Sequence, residues 1–274
     1  GFNVVLTHCT ADFDSLASAV GLAKLWSAKR QGNTTKRSDF DSASLLPTYV
    51  VLPRGSHPSV ERFLALHKHL FPIRSLKSLP KDLNGLNRLG LVDAQRKDRI
   101  GPAAKLLDYA KRITVVDHHL ESDSDIECTD YVLDKVGSVS TLIVERLRKN
   151  LESGDYLDGL TEAEATLLAL GIHADTGSLC YDSTTPRDAA ALSWVMDQGA
   201  SQVAIAEHAQ SALSVEQQTV LTQALTTSNF TVVHGVTISS VLLRAEGFIK
   251  GLAAVCQECL ESTSSDLYLM GFIY

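Results

Sequence analysis

Val115-Val116-Asp117-His118-His119 is the stretch that decides how the rest of the chain can be understood. An apolar run, 113–116, ends abruptly here in one carboxylate and two imidazoles. A short run of this kind is typical of a parallel strand that is buried on both faces. In open α/β sheets, reactive groups gather at the carboxyl ends of the strands. The stretch therefore predicts a strand that carries site residues at its end.

Three other apolar runs end in acidic or histidine side chains. The runs and the side chains that follow them are 2–6 with His8, Asp12 and Asp14, 89–92 with Asp93, and 167–172 with His173 and Asp175. We expect all four elements to deliver these side chains from their carboxyl-terminal ends. Together they predict the walls of one metal site.

Strand-like and helix-like segments alternate up to about residue 200. The predicted strands are 2–6, 48–52, 87–93 and 113–119, and the predicted helices are 16–26, 59–69, 101–110, 140–149, 161–171 and 186–198. This alternation predicts an α/β fold, a parallel sheet with helices on both faces. The polar stretch 27–44 is expected to form a loop or insertion.

The pattern changes after residue 200 and predicts a division into a catalytic domain 1–200, a helical connector 201–228 and a smaller α+β lobe 229–274. In the lobe, we expect strands at 229–233 and 236–243 around a His234-Gly235 hairpin, then a helix at 248–260 and a strand at 266–274. Because an apolar strand reaches the last residue, this lobe is expected to be truncated, with further C-terminal domains beyond it.

Composition limits the protein's class. The chain has 274 residues, 45% of them hydrophobic, and no apolar run of 18 or more, so no membrane segment is expected. The five cysteines follow no framework spacing, which favours a reducing compartment. Without a recognisable presequence, a cytoplasmic location is expected, or an organelle matrix or stroma if a presequence has been removed. The net charge of −7 argues against a basic surface for long duplexes.

The spacing His8-x3-Asp12-x-Asp14 would place three ligands on one strand-to-helix turn. Aspartate and histidine together favour Mn²⁺, Mg²⁺, Co²⁺ or Zn²⁺. The full set is large enough for two ions, and two ions roughly 3.5–4 Å apart are a standard device for hydrolysing phosphate esters.

Each motif alone also has a plain structural interpretation. Asp-x-Asp is more often a solvated turn, His-His is usually a surface or core pair, and Asp175-Thr176-Gly177 fits an ordinary Asx turn. Cys256 and Cys259 fall inside a predicted helix, so packing is favoured over metal binding. The remaining histidines are interpreted as structural or exposed: His57, His67, His69, His173, His208 and His234. The order and placement of all four motifs together favour the metal site.

These motifs, 7–15, 91–93, 116–119 and 174–177, resemble in order the four motifs of the DHH phosphoesterase superfamily. The superfamily includes RecJ exonucleases, oligoribonucleases, cyclic-dinucleotide phosphodiesterases and family II pyrophosphatases. The resemblance covers about residues 1–200. Within it, 11–18 and 52–64 are most similar to DHH modules fused to CBS domains and tRNA-nucleotidyltransferase-like domains.

The resemblance implies two divalent ions, Mn²⁺ above all, with Mg²⁺ or Co²⁺ as alternatives. The implied roles are His8 and Asp12 on the first ion, Asp14, His118 and Asp175 on the second, Asp93 bridging both, Asp117 orienting a ligand, and His119 facing the substrate. It also implies a DHHA-like C-terminal lobe. However, the Gly-Gly-Gly-His signature of that lobe is absent from this sequence.

We expect a Mn²⁺-dependent phosphoesterase of the exonuclease or nanoRNase type. Its substrates would be short single-stranded RNA or DNA, or nucleotides, hydrolysed at phosphodiester or phosphomonoester bonds by a water activated by two metals. A homodimer is compatible with this interpretation. One alternative is an inorganic pyrophosphatase or short-chain polyphosphatase, for which the lobe offers only Arg244 and Lys250. A non-catalytic nucleotide-sensing module of a larger protein is the other, disfavoured because every expected ligand is present.

Overall fold

The structure is a computed structural model that describes residues 1–27, 46–121, 123–154, 159–209, 213–245, 247, 249 and 251–273. The predicted loop 27–44, apart from Ser27, and Lys250 lie outside these residues. The chain divides into two compact units, Gly1–Gln210 and Ser211–Tyr274. None of the helices in the described part of the chain has the length and apolarity that a membrane crossing requires.

The first unit alternates strands and helices, as the sequence predicted. Its elements are β1 (Phe2–Leu6), α1 (Phe13–Ser27), β2 (Thr48–Val51), α2 (Pro58–His67), β3 (Ile73–Arg74), β4 (Leu86–Val92), α3 (Lys97–Ile100), β5 (Arg112–Asp117), β6 (Asp130–Leu133), α4 (Val139–Glu152), α5 (Glu162–Thr176), α6 (Pro186–Asp197) and α7 (Gln202–Ala209).

The strands form one six-stranded sheet in the order β3-β2-β1-β4-β5-β6, with every pairing parallel. Val5 of β1 pairs with Val50 on one side and Gly90 on the other. The strand order reverses between β1 and β4, and such a reversal opens a crevice at the carboxyl ends of the two strands. The predicted parallel α/β fold is confirmed.

Both faces of the sheet are covered. Val5 and Val116 belong to a core built with α1, α4 and α5, whereas Val4 and Val115 belong to a second core on the opposite face. Neighbouring residues of a strand point to opposite faces, so both must be apolar when both faces are buried. This explains why the strands appear in the sequence as unbroken apolar runs.

Several element boundaries differ from those predicted. The helix expected at 101–110 is α3 followed by a 3-10 helix, Gly101–Asp108, because Gly101 ends α3 with a φ of 48° and Pro102 follows it. The edge strands β3 and β6, of two and four residues, were not predicted, because neither is a continuous apolar run. The strand expected at 113–119 ends at Asp117, which leaves the two histidines beyond it.

The fourth motif lies at the end of the helix predicted at 161–171, whereas the other three motifs follow strands. Residues 167–172 lie inside α5, which begins with a capping box between Thr161 and Glu164 and continues to Thr176. Asp175 therefore occupies the last helical turn. A fully buried helix segment and a buried strand both appear as continuous apolar runs, so the capping-box spacing, and not periodicity, identifies this element as a helix.

The second unit is a three-stranded sheet with two helices. Its elements are α8 (Val215–Thr227), β7 (Asn229–Val233), β8 (Val236–Arg244), α9 (Leu252–Thr263) and β9 (Leu267–Ile273). β7 and β8 form the predicted antiparallel hairpin, and the turn residues His234 and Gly235 have φ values of 51° and 85°. β9 pairs with β8 in parallel, and Cys259 is buried in the core of this unit.

The stretch 201–228, predicted to be a connector, contains two separate helices. Ile205 of α7 belongs to the core of the first unit, whereas Val220 and Ala224 of α8 belong to the core of the second. The residues of this stretch therefore contribute to the stability of both units.

Gly171 allows α5 to approach two other helices of the first unit closely. A Cβ at this position would lie 2.3 Å from Ser140 Oγ of α4 and 2.8 Å from Ala17 Cβ of α1. These distances are shorter than van der Waals contact, so any larger side chain must push the helices apart.

Gly171→Ala should therefore lower the free energy of unfolding by about 1–3 kcal/mol, as expected for overpacking of a dense core. Urea denaturation followed by circular dichroism measures the change. Gly159→Ala is the matched control, since a Cβ at Gly159 meets no heavy atom within 4 Å. Equal unfolding midpoints for the two variants would contradict the close helix approach.

Candidate metal centre

The predicted site residues meet at the carboxyl edge of the sheet. His8 follows β1, Asp93 follows β4, and Asp117 ends β5, and these three strands are neighbours in the sheet. Asp12 and Asp14 flank the first residue of α1, and Asp175 comes from the last turn of α5. The site is thus formed by residues from the ends of three strands and from two helices. It lies where the strand order of the sheet reverses.

Three sets of side chains have ligand atoms that lie within 4.8 Å of one another. The sets are His8 with Asp12 and Asp93, Asp14 with His118 and Asp175, and Asp93 with His118 and His119. The first two sets coincide with the two ligand groups that the family resemblance implies. Asp93 belongs to the first set and also to the third, where it lies near His118 of the second.

The first set is held by short polar contacts. His8 Nε2 lies 3.3 Å from Asp12 Oδ2 and 3.3 Å from Asp93 Oδ2. The second oxygen of Asp12 accepts the backbone N–H of Ser15 at 2.9 Å, which leaves Oδ2 directed at His8. Burial by itself lowers the pKa of His8, but the bonds to the two carboxylates outweigh it and raise that pKa to about 9.

The second set contains an imidazole whose tautomer is fixed by the fold. His118 Nδ1 lies 3.0 Å from the carbonyl oxygen of Val136. A carbonyl can only accept, so Nδ1 must donate its hydrogen there, and in the neutral ring Nε2 carries a lone pair. Nε2 faces Asp175 Oδ2 at 3.5 Å and Asp93 Oδ1 at 3.9 Å.

Two buried atoms of the site have no hydrogen-bond partner among the described residues, His118 Nε2 and Asp93 Oδ1. Leaving such atoms unpaired costs roughly 1–3 kcal/mol each, more for charged groups. Both are electron-pair donors, so neither can satisfy the other, whereas a divalent cation can satisfy both. The donor set therefore fits a metal ion.

Asp14 is held by the first turn of α4. Its two oxygens accept the backbone N–H groups of Val139 at 2.7 Å and Ser140 at 2.8 Å. The start of a helix stabilises negative charge through these free N–H groups. Each carboxylate oxygen keeps a second lone pair, so Asp14 can remain bound to α4 and still donate to a cation.

Three carboxylates of the site, those of Asp14, Asp93 and Asp175, lie close together and are largely buried. Burial, and after it the charges of Asp175 and Asp93, raises the pKa of Asp14 well above its usual range. Burial also raises the pKa of Asp93, and burial together with Asp12 and Asp93 raises that of Asp175 to about 8. Such a cluster requires protons or cations to offset the repulsion.

Asp93 is also unusual in its backbone. Its φ of 54° lies in the left-handed region, and its N–H donates to the carbonyl oxygen of Val116 at 3.0 Å. Residues other than glycine seldom adopt this conformation, which is least costly for aspartate and asparagine and often marks a functional position. The left-handed turn directly follows β4 and places the carboxylate between His8 and His118.

Asp117 accepts hydrogen bonds from the two residues that follow it in the sequence. Its Oδ1 accepts the N–H of His118 at 2.7 Å, the N–H of His119 at 3.0 Å and the Nδ1 hydrogen of His119 at 2.7 Å. Asp117 belongs to none of the three ligand sets. Its bond to His119 raises the pKa of that imidazole. The side chain of His119 is 49% exposed, against 13% for His118.

Two residues that the sequence did not single out hold the site together. Gln95 is buried, donates from Nε2 to the carbonyl oxygen of His119 at 2.7 Å, and accepts a hydrogen bond from the Tyr131 hydroxyl. Asp188 accepts the N–H of Gly137 at 2.9 Å and thereby fixes the turn that contains the Val136 carbonyl. The spacing of Thr185 and Asp188 gives a capping-box signal, but nothing local in the sequence predicts the bond to Gly137.

His173 was predicted to be structural or exposed. It is half-buried, its Nδ1 has no hydrogen-bond partner among the described residues, and burial lowers its pKa. It belongs to none of the three ligand sets.

Two known proteins are similar in sequence to nearly the whole chain. Over 92% of its length the chain is 30% identical to an A-adding tRNA nucleotidyltransferase from Geobacter sulfurreducens, and over 97% it is 28% identical to another from Aquifex aeolicus. The matched parts are 26% and 28% of those proteins, so the chain spans about a quarter of the length of these relatives.

Two solved structures share the fold. An exopolyphosphatase-related protein from Bacteroides fragilis superposes with a TM-score of 0.69 at 17% identity, covering 94% of this chain and 72% of the other. A Methanococcus jannaschii protein assigned to the family II inorganic pyrophosphatases gives a TM-score of 0.55 at 19% identity, covering 99% and 83%. At these identities the likeness concerns the fold alone.

The family to which the chain belongs is shown by its N-terminal part. The DHH family, N-terminal domain, matches residues 3–172, which include every one of the predicted site residues except Asp175. That match covers more than half of the chain and agrees with the sheet order and the ligand sets described above. The chain belongs to the DHH family, whose members are metal-dependent hydrolases.

Proposed function

We propose that the chain is a phosphoesterase that hydrolyses phosphodiester or phosphomonoester bonds of short oligonucleotides or nucleotides with two divalent cations. The observation that carries the proposal is the position of Asp93, whose two oxygens face His8 and His118 in adjacent ligand sets. Mixed imidazole and carboxylate ligands suit Mn²⁺, and we propose it as the preferred ion.

We propose that some of the site residues bind the cations and that others act on the substrate. His8 and Asp12 would hold one cation, Asp14, His118 and Asp175 the other, and Asp93 would reach both. When bound, divalent cations lower the pKa of water and neutralise charge that develops on phosphoryl oxygens.

His119 is the group available for proton transfer. Asp117 accepts its Nδ1 hydrogen, which fixes the ring and leaves Nε2 out of that bond. The hydrogen bond to Asp117 raises the pKa of His119, which favours the protonated form of the ring, and in that form Nε2 can donate to a phosphoryl or leaving-group oxygen. We propose that Asp117 acts through His119 and does not itself touch the substrate.

The nucleotide character of the substrate rests on the sequence relatives, whose names concern nucleotide addition to tRNA. The names of the two solved structures concern polyphosphate and pyrophosphate, and they keep an inorganic pyrophosphatase or short-chain polyphosphatase as the second candidate. A nucleotide-sensing module without turnover is the third.

A substrate panel in Mn²⁺ separates these candidates. It contains pyrophosphate, tripolyphosphate, adenosine bisphosphate, a cyclic dinucleotide and RNA of two to five nucleotides, with phosphate release and chromatography as readouts. The proposal expects turnover of the nucleotides. Turnover of the inorganic substrates alone would replace it with the second candidate, and binding without turnover would favour the sensing module.

Asp93→Asn should abolish measurable hydrolysis and reduce the metal content. Asparagine tolerates the left-handed backbone, so the substitution removes the shared charge with little added strain. The fold should persist, because the change relieves repulsion among buried carboxylates. Initial rates, metal analysis and circular dichroism of the purified variant test this together. A folded variant with near-wild-type turnover would contradict the shared-ligand role.

Substitutions of the two adjacent histidines should have different effects on metal content and on kcat. His118→Ala should lower the metal content, because it removes a buried donor directed at Asp93 and Asp175. His119→Ala should leave the metal content close to that of the wild type and reduce kcat by about 10²–10⁴-fold, as for a lost general acid.

Metal analysis of both variants, purified in parallel, provides the measurement. An equal loss of metal in both would show that His119 is a ligand and not a substrate-facing acid.

A further inference from the structure

One peptide group joins the metal centre to a buried carboxylate that the proposed chemistry does not use. Its carbonyl oxygen, from Val136, lies 3.0 Å from His118 Nδ1, and its N–H, from Gly137, donates to Asp188 Oδ2 at 2.9 Å. Asp188 belongs to none of the three ligand sets. We propose that Asp188 is a positioning residue, which sets the affinity of the second cation through this peptide group. The inference rests on the proposed function, in which His118 is a ligand of that cation.

The geometry of the peptide group couples its two hydrogen bonds. A peptide group is planar, and in the trans form its N–H and C=O point in opposite directions. The Val136–Gly137 peptide is trans. When Asp188 holds the N–H on one side, the carbonyl oxygen points to the other side, where His118 lies. The Nδ1 hydrogen of His118 then stays on that carbonyl, and Nε2 keeps the lone pair that a cation needs.

Asp188 is surrounded by donors that stabilise its negative charge in the protein interior. The side chain is fully buried, and its Oδ1 accepts the hydroxyl hydrogen of Thr141 at 2.6 Å. Its Oδ2 accepts the N–H and the hydroxyl hydrogen of Thr185 at 2.8 and 2.7 Å. Burial by itself raises the pKa of Asp188, but these bonds outweigh it and lower that pKa. A negative charge at the N–H end polarises the shared peptide group and makes its carbonyl oxygen a stronger acceptor for His118.

The chain that follows this peptide group holds a further ligand of the second set. Val139 and Ser140, at the start of α4, donate their N–H groups to Asp14 at 2.7 and 2.8 Å. Asp188 also binds Thr141 in the same helical turn. It therefore supports two of the three ligands that we assign to the second cation.

The ligands that we assign to the first cation alone have supports elsewhere in the chain. The N–H of Thr10 donates to His8 Nδ1 at 3.3 Å, and the N–H of Ser15 donates to Asp12 Oδ1 at 2.9 Å. Both bonds are local to the turn that follows β1. Loss of Asp188 should therefore weaken the second cation and leave the first in place.

Calorimetric titration of the chelator-treated protein with Mn²⁺ measures both affinities without turnover. Asp188→Ala should weaken the second cation by about 10- to 100-fold, the usual effect of losing a group that orients a ligand. Asp188→Asn keeps a neutral acceptor for the peptide N–H and should show a smaller loss. Glu164→Ala is the matched control, because Glu164 occupies the equivalent position in the capping box of α5 and pairs with Lys24. It should lower stability, as Asp188→Ala does, but leave both affinities unchanged.

Variants of the ligands identify which affinity belongs to which cation. In an Asp12→Asn background, where the first cation is weakened, Asp188→Ala should have its full effect on the second. In a His118→Ala background the effect should shrink, because the carbonyl has lost its imidazole partner and residues that act through one another are not additive.

Unchanged affinities in a folded Asp188→Ala variant, or an equal loss for both cations, would overturn the inference. Circular dichroism checks the fold, and if Asp188→Ala does not fold, an unchanged second affinity in Asp188→Asn has the same meaning. Binding of a single Mn²⁺ by the wild type would instead contradict the two-cation function. In that case, loss of the ion in His118→Ala with full retention in Asp188→Ala would still overturn the role of Asp188.

Discussion

Negative charge held out of water is the constraint on which this structure depends. Asp14, Asp93 and Asp175 lie within one buried cluster, and burial raises the pKa of each. The fold offsets part of this charge in two ways. The first turn of α4 donates two N–H groups to Asp14, and His8 pairs with Asp93. Among the described residues, Asp93 Oδ1 and His118 Nε2 remain buried without a hydrogen-bond partner. Much of the architecture of the first unit serves to keep these carboxylates together despite their repulsion.

The sheet could be predicted from the sequence because its central strands are buried on both faces. Burial on both sides requires apolar residues without alternation, and the polar residue that ends each run marks the carboxyl edge. The edge strands β3 and β6 lack such runs and were missed. α5 was correctly predicted to be a helix, because its capping box marks a helix start although its buried segment is as continuously apolar as a strand. Hydrophobicity records burial, and burial alone does not distinguish a helix from a strand.

The site residues were predictable to a similar degree. All of the predicted ligands meet at one edge of the sheet, because the side chains that bind a cation are chemically distinctive wherever they occur in a sequence. The groups that orient them are not distinctive. Val136 acts through a carbonyl that any residue would supply, and Gln95 and Asp188 act on partners 24 and 51 residues away. The groups that orient the ligands can therefore be identified only in the three-dimensional structure.

The close approach at Gly171 has a consequence for ion selection. α1, which contains Asp14, and α5, which contains Asp175, touch there with no space for a methyl group. Helices in such contact cannot shift without opening or overlapping the core, so the main chain sets the spacing of the carboxylates that they carry. A large ion such as Ca²⁺ takes six to eight oxygens at about 2.3–2.6 Å and needs ligands that can move outward. Because Gly171 lacks a side chain, we expect the centre to discriminate against an ion as large as Ca²⁺.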